Sequence, residues 1–217
     1  MNHYDIVIAT PGSMITGAFV RSLAKTIEVL QEKNISWKFI NYESCYIRYA
    51  REKIINDTDD GTFDSTTPFS GNFTYNKIMW IDSDIQWEPE HVLSLFYSDR
   101  DIITGGYMMV DGRIAVSFDE KTSPYPNQIP TSRQVEVSSC GFGFVCVKKG
   151  VFESMPRPWF DSKIFEKDGI LVSGIAEDSA WCLKARNSGF KIWLDPSVRV
   201  IHNKNMSLAW FDHPQET

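Results

Sequence analysis

Short apolar runs alternate along this chain with stretches in which apolar residues recur every three or four positions. The runs at residues 5–10, 36–41 and 78–81 are typical of buried β-strands. Between the first two lies a stripe with steps of four, four and three, which predicts one face of an α-helix: Phe19, Leu23, Ile27 and Leu30. This strand–helix–strand order predicts a βαβ unit, and with the run at 78–81 it predicts a parallel sheet with helices packed on it.

The rest of the chain continues the alternation less regularly. Further strands are predicted at residues 102–104, 135–148, 191–194 and 198–201, and further helices at 46–53, from Pro89 and at 179–187. Asp111-Gly112 between two apolar stretches predicts a hairpin turn, and Asp195-Pro196-Ser197 predicts a turn between two strands. Loops are predicted at 57–74, 121–133 and 157–173, and Trp210-Phe211 in the tail is expected to dock on the body.

Composition narrows the class of protein. With 217 residues, of which 42% are hydrophobic, the chain can bury a full core in one domain. The net charge of −6 and the lack of a long Lys or Arg run argue against a nucleic-acid partner. Four cysteines without a Cys-x-x-Cys pair, no signal-peptide pattern and no membrane-spanning stretch favour packed, reduced thiols in a cytoplasmic protein.

The strongest chemical signal is the acidic pair that follows the apolar run at 78–81. Strand alternation would place Asp82 and Asp84 on one face with Ser83 pointing away. The carboxyl ends of buried parallel strands are where open α/β sheets bind ligands. Two close carboxylates repel each other, and a divalent cation would relieve that repulsion and bridge to phosphate. An isolated Asp-x-Asp is also typical of a solvated acidic turn, so the pair alone leaves both interpretations open.

Several other residues also have a structural and a functional interpretation. Arg48 and Arg51 share one side of a predicted helix and either hold a nucleotide or form a solvated face. Gly105-Gly106 after a predicted strand allow close access to the backbone, and Gly141 and Gly143 inside a strand pattern favour either a close approach by a ligand or a bulge. Glu177-Asp178 at a predicted helix start are, taken alone, ordinary dipole partners and caps. His202, at the end of the last predicted strand, is either structural or a metal ligand.

Taken in order, these motifs resemble the GT-A nucleotide-sugar glycosyltransferases of the family 2 kind. The resemblance covers nearly the whole chain and is most specific at residues 177–202, where an acidic pair heads a helix and a histidine follows the next strands. Asp82-Ser83-Asp84 matches the Asp-x-Asp motif, and residues 140–153 resemble the acceptor-side strand and its helix. The second strand lacks the family's paired acids, which, with the compact length, resembles virus-encoded members that build capsid glycans in large algal viruses.

The resemblance implies a fold of GT-A type, with a Rossmann-like, mainly parallel central sheet flanked by helices and a small antiparallel sheet on the acceptor side. It implies one domain, with residues 1–104 as the nucleotide-sugar-binding half and residues 105–217 as the acceptor-binding half. Mn²⁺ or Mg²⁺ would be held by Asp82, Asp84 and His202. Asp178, beside Glu177, would be the general base. The donor would be contacted by Thr10, Pro11, Arg48, Arg51, Asp82, Ser83, Gly105 and Gly106.

The implied reaction moves a sugar from a nucleoside-diphosphate-sugar, with a UDP-sugar expected first, to a hydroxyl of a carbohydrate or glycoprotein acceptor. Attack in line would invert the anomeric centre, and retention stays open because it depends on geometry. A nucleotidyltransferase would use the same sheet edge but needs a Gly-rich, basic loop after the first strand, which residues 10–14 lack. A non-catalytic nucleotide-sugar-binding module would need no base at Asp178. A viral protein of this kind would work in the host cytoplasm.

Overall fold

The central sheet confirms the predicted α/β class. The computed structural model describes residues 1–57, 67–118, 133–167 and 170–204. Numbered in chain order, the seven strands lie from edge to edge as β2 (Trp37–Tyr42), β1 (Asn2–Pro11), β3 (Phe73–Ile81), β9 (Phe144–Lys148), β5 (Ile102–Gly106), β12 (Ile192–Arg199) and β7 (Val135–Val137). Five strands share one direction, and β9 and β7 run antiparallel to them. The sheet is therefore mainly parallel, and β9 from the second half of the chain pairs with β3 from the first.

Four helices and three two-stranded sheets surround this sheet in the described ranges. The helices are α1 (Gly17–Glu32), α2 (Ile47–Asn56), α3 (Pro89–Tyr97) and α4 (Glu177–Asn187), with short 3-10 helices at Pro68–Gly71 and Phe152–Ser154. The small antiparallel sheets pair β4 (Ile85–Gln86) with β13 (Ile201–His202), β6 (Val116–Ser117) with β8 (Ser139–Cys140), and β10 (Lys163–Lys167) with β11 (Ile170–Ile175). No helix in these ranges is long and apolar enough to cross a bilayer.

The core lies on both faces of the sheet because successive strand residues point to opposite sides. Ile78 and Trp80 of β3 belong to the cluster under α2 and α4, whereas Met79 and Ile81 belong to the cluster under α1 and α3. All four are fully buried. A strand covered on both faces must be apolar throughout, which is why this run is continuous rather than alternating.

Helix α1 follows its predicted stripe only in part. Its N-cap is Thr16, whose hydroxyl accepts a hydrogen bond from the backbone N–H of Phe19. Ser22 and Thr26 are buried on the same face because both reach Trp87: Ser22 Oγ donates to the Trp87 carbonyl at 2.7 Å, and the Trp87 indole donates to Thr26 Oγ1 at 2.8 Å. An apolar pattern cannot reveal buried polar residues of this kind.

The predicted loop at 157–173 is wrong in its second part, where β10 and β11 form a hairpin. Asp168-Gly169 between these strands is the same sequence signal that predicted the turn at Asp111-Gly112, where Gly112 has a positive φ of 80°. The first part is irregular as expected, and Trp159 and Phe160 are buried beneath it.

Other boundaries also differ from the predictions. The predicted loop at 57–74 contains the 3-10 helix and the start of β3, and its residues 58–66 lie outside the described ranges. The predicted strand at 135–148 is three strands in two sheets, and the turn at 195–197 is a register shift inside the single strand β12. Residues 121–132 of another predicted loop, and Trp210 and Phe211, also lie outside the described ranges. Cys140, Cys146 and Cys182 are buried thiols as expected, whereas Cys45 is exposed.

Gly105 and Gly106 are the last residues of β5, and both pack closely against side chains of the protein itself. A Cβ on Gly105 would lie 2.6 Å from Val198 Cγ1 and 3.2 Å from the Val198 carbonyl oxygen. A Cβ on Gly106 would lie 2.8 Å from Ile114 Cδ1, the flexible end of a side chain. Close packing by β12 and the 107–114 hairpin accounts for both glycines without a ligand.

We expect Gly105→Ala to lower the free energy of unfolding by about 1–3 kcal/mol, because the rigid Val198 and its backbone cannot move aside. Gly106→Ala should cost less, since Ile114 Cδ1 can rotate away. Urea unfolding of both variants measures the difference. Equal costs would mean that the Val198 contact does not determine the packing at Gly105.

Candidate functional site

The acidic residues after β3 form a tight turn rather than a continuation of the strand. Strand β3 ends at Ile81, and the turn is closed by a hydrogen bond from the Ile85 backbone N–H to the Asp82 carbonyl at 3.0 Å. The expectation that alternation would put Asp82 and Asp84 on one face therefore does not hold. The two carboxylates contact different groups, and in each case a cation of the protein itself offsets their charge.

Arg51 of α2 lies buried between two parts of the site. Its guanidinium donates to Asp82 Oδ1 at 3.1 Å and to Glu177 Oε1, and only 3% of its side chain is exposed. It also lies over the Phe142 ring, with Cζ 5.3 Å from the centroid. Burial would lower the pKa of Arg51, but the charges of Asp82 and Glu177 outweigh burial and raise it. The guanidinium is therefore fully charged and joins the acidic turn to the start of α4.

Arg48, three residues earlier, has a different environment. It is exposed and forms an ion pair with Asp161 at 3.0 Å. The two arginines were expected to act together on a nucleotide or to form a solvated face. The structure separates them: Arg51 is part of the buried network, and Arg48 lies at the surface.

Asp84 lies beside strand β13. The pairing of His202 with Ile85 brings the imidazole to the acidic turn, with Nε2 3.3 Å from Asp84 Oδ2. His202 Nδ1 lies 3.0 Å from the Met108 carbonyl oxygen. Because a carbonyl only accepts, Nδ1 carries the proton, and in the neutral ring the Nε2 lone pair faces the carboxylate. A proton on Nε2 or a shared cation makes this contact favourable.

This arrangement has the chemistry of a divalent cation site. A histidine that donates its other N–H to a backbone carbonyl is typical of metal ligands. Mg²⁺ and Mn²⁺ sites commonly combine one or two carboxylates with substrate phosphates and water. No set of three His, Cys, Asp or Glu side chains converges on one point in the described ranges, because Asp82 is turned toward Arg51. Asp84 and His202 are the residues that could hold such an ion together.

Lys204 was not singled out by the sequence, yet it completes this cluster. Its ammonium lies 2.7 Å from Asp84 Oδ2, and Asn203 between it and His202 donates its backbone N–H to the Asp84 carbonyl at 2.8 Å. Its position two residues after the predicted ligand His202 is the only sequence signal for it.

As in the acidic turn, one of the two neighbouring carboxylates of α4 binds Arg51 and the other does not. Glu177 is bound to Arg51, and 13% of its side chain is exposed. Asp178 accepts a hydrogen bond from the Ser179 backbone N–H at 2.6 Å and lines a cavity. The residue that caps α4 is Ala176, so neither acid is the N-cap, although both lie in the first turn, where the helix dipole favours them.

Asp178 and Asp84 line two different cavities. The larger, of about 510 Å³, is lined by Asp178, Tyr107 and residues of the 109–118 segment. The smaller, of about 350 Å³, lies between the loop after β1 and the acidic turn and is lined by Ser13, Thr16, Ser83, Asp84, Asn203 and Lys204. Burial, with the nearby charge of Asp82, raises the pKa of Tyr107. The Tyr107 hydroxyl accepts from the Gly143 backbone N–H at 3.2 Å and occupies the space that a Cβ at Gly141 or Gly143 would need.

The remaining predicted donor residues lie at the end of β1 and in the turn. Thr10 is fully buried, and Pro11 is also buried. Asn41 Nδ2 donates to the Thr10 and Gly12 carbonyls at 2.8 and 3.0 Å. These bonds fix the loop after β1, whose Ser13 and Thr16 face the smaller cavity together with Ser83. A donor contact by Thr10 or Pro11 stays a prediction.

The two arginines of α2 provide a matched test of the buried network. Arg51→Met should lower the free energy of unfolding by about 3–5 kcal/mol, because it leaves two partly buried carboxylates unpaired. Arg48→Met should cost less than about 1 kcal/mol, since an exposed pair is lost. Urea unfolding of both variants measures this, and similar values for the two would contradict the network.

Comparisons with known proteins support the fold. No protein-family model matches the sequence, and a search of curated proteins finds no match. Among solved structures, A197 from STIV is similar over 97% of this chain and 100% of its own, with 16% identity and a TM-score of 0.51. A glycosyltransferase involved in glycosylation of the major capsid of PBCV-1 matches 69% of this chain and 62% of its own, with 15% identity and a TM-score of 0.34. The chain therefore shares the overall fold of A197, and in this chain that fold is a mixed α/β fold with a mainly parallel central sheet.

Proposed function

We propose that this chain is a metal-dependent glycosyltransferase, which moves a sugar from a nucleoside-diphosphate-sugar to a hydroxyl of a carbohydrate or glycoprotein acceptor. The observation that carries the proposal is that two acids of the site, each next to a partner of Arg51, line two different cavities. Asp84 opens onto one cavity and Asp178 onto the other. A transferase for two substrates needs a donor site and an acceptor site that meet at the reacting carbon.

The smaller cavity is our donor diphosphate site. Serine and threonine hydroxyls, the Asn203 amide and the Lys204 ammonium line it, and all of these can donate to phosphate oxygens. A divalent cation held by Asp84 and His202 would neutralise charge on the diphosphate as it leaves. Asp82 is assigned to orientation of the turn through Arg51, and a UDP-linked sugar is the first donor to test.

The larger cavity is our acceptor site, with Asp178 as the general base. Its carboxylate would take a proton from the acceptor hydroxyl as that oxygen attacks the anomeric carbon. Glu177 would keep Arg51 and the start of α4 in place. In-line attack from this side would invert the anomeric centre.

The rival functions make different demands on the site. A nucleotidyltransferase needs basic residues in the loop after β1, and Gly12-Ser13-Met14 has none. A binding module without catalysis would bind the donor but would not depend on Asp178. The second rival is separated from the proposal by the Asp178 variant below.

Asp84→Asn tests the metal role. It should weaken binding of UDP in the presence of Mn²⁺ by at least about tenfold, because a charged ligand to the cation is lost. In EDTA, the variant should bind UDP no more weakly than the unmodified protein, because no cation is then lost with the carboxylate. Isothermal titration calorimetry gives both constants, with Asp101→Asn at the surface as the control. UDP affinity that does not respond to Mn²⁺ in the unmodified protein would reject the metal role.

Asp178→Asn tests catalysis. The amide oxygen can still accept from the Ser179 N–H, so melting temperature and donor binding should stay near normal. Sugar transfer should fall by about 10²–10⁴-fold, because an amide cannot take up the proton. Glu177→Gln is the matched control and should lower the melting temperature more, since it weakens the pair with Arg51. Transfer by Asp178→Asn at the unmodified rate would place the base elsewhere.

A further inference from the structure

The cavity between the β1 loop and the acidic turn has one feature that the proposed function leaves unexplained. Its lining contains one carboxylate, Asp84, and one ammonium, Lys204, and the other lining residues are uncharged. The Lys204 ammonium nitrogen lies 2.7 Å from Asp84 Oδ2. This is the same oxygen that faces His202 Nε2 at 3.3 Å. The ammonium would therefore compete with a divalent cation for this carboxylate.

A divalent cation bound to Asp84 Oδ2 would lie close to an ammonium on the same oxygen. The two positive charges would repel each other strongly. Lys204 is 46% exposed on a flexible side chain, so its ammonium can leave Asp84 at small cost. Once displaced, it remains beside a cavity whose only described carboxylate is already neutralised. An anion bound in the cavity would give the displaced ammonium a new partner.

The neighbouring residue supports an anion there. Asn203 lines the same cavity, and its side-chain Nδ2 is buried without a hydrogen-bond partner among the described residues. A buried donor of this kind costs free energy unless a ligand or water satisfies it. Its backbone N–H donates to the Asp84 carbonyl at 2.8 Å, which ties residue 203 to the acidic turn.

We propose that Lys204 is an exchangeable cation: its ammonium neutralises Asp84 in the free protein and moves to the donor's diphosphate when a divalent cation binds Asp84 and His202. The proposal rests on the proposed function, because it assumes the same diphosphate site. Lys204 is then a substrate-binding residue that also competes with free metal. Its two roles have opposite effects on two binding constants, which a merely structural lysine would not have.

Lys204→Met is the test, with Lys191→Met as the matched control, because Lys191 forms a similar 2.8 Å pair with Glu136 away from the site. Binding of Mn²⁺ alone should tighten about two- to fivefold in Lys204→Met, as an exposed ion pair no longer competes. Binding of UDP with saturating Mn²⁺ should weaken about tenfold, as a charge-assisted bond is lost. The loss should be smaller for UMP, which lacks the second phosphate. Lys191→Met should change none of these constants.

The outcomes separate this inference from the proposed function. If the unmodified protein binds Mn²⁺ and UDP in a metal-dependent way but Lys204→Met behaves like Lys191→Met, the exchange is rejected and the function stands. Changes of the same sign in both constants also reject the exchange. If the unmodified protein binds neither Mn²⁺ nor UDP, both proposals fail. Lys204→Gln, which keeps a polar side chain, replaces Lys204→Met if the latter lowers the melting temperature.

Discussion

The ion pairs of the buried Arg51 are the interaction on which the site depends. Its guanidinium joins α2, the turn after β3 and the start of α4 through Asp82 and Glu177. Burying an arginine is costly, and this cost is offset by two carboxylates and by the faces of Phe142 and Phe160. Without it, two acids from distant parts of the chain would repel each other across the sheet edge.

The same pairing divides four acids into two kinds. Asp82 and Glu177 are bound to Arg51, so they hold the turn and the helix in place. Asp84 and Asp178 face cavities of about 350 and 510 Å³. Each adjacent pair of acids therefore has one residue bound to Arg51 and one residue that lines a cavity. This division explains why neighbouring carboxylates are present without strong mutual repulsion.

The pairing of β13 with β4 determines which residues contact Asp84. Two residues paired with β4 bring His202, Asn203 and Lys204 to the acidic turn. The Met108 carbonyl then sets which imidazole nitrogen faces the carboxylate. In our proposal, the Asp84 carboxylate is bound either by the Lys204 ammonium or by a divalent cation that His202 also holds.

The sequence by itself determined the sheet class, most helices and the identity of the acidic residues, because burial on both faces requires continuous apolar runs such as 78–81. It also placed Asp84, Asp178 and His202 at strand ends and a helix start. Only the tertiary structure decided that Arg51 is buried while Arg48 is exposed, and that Lys204 meets Asp84. Those outcomes depend on contacts between residues 31 to 126 positions apart, which no local periodicity contains.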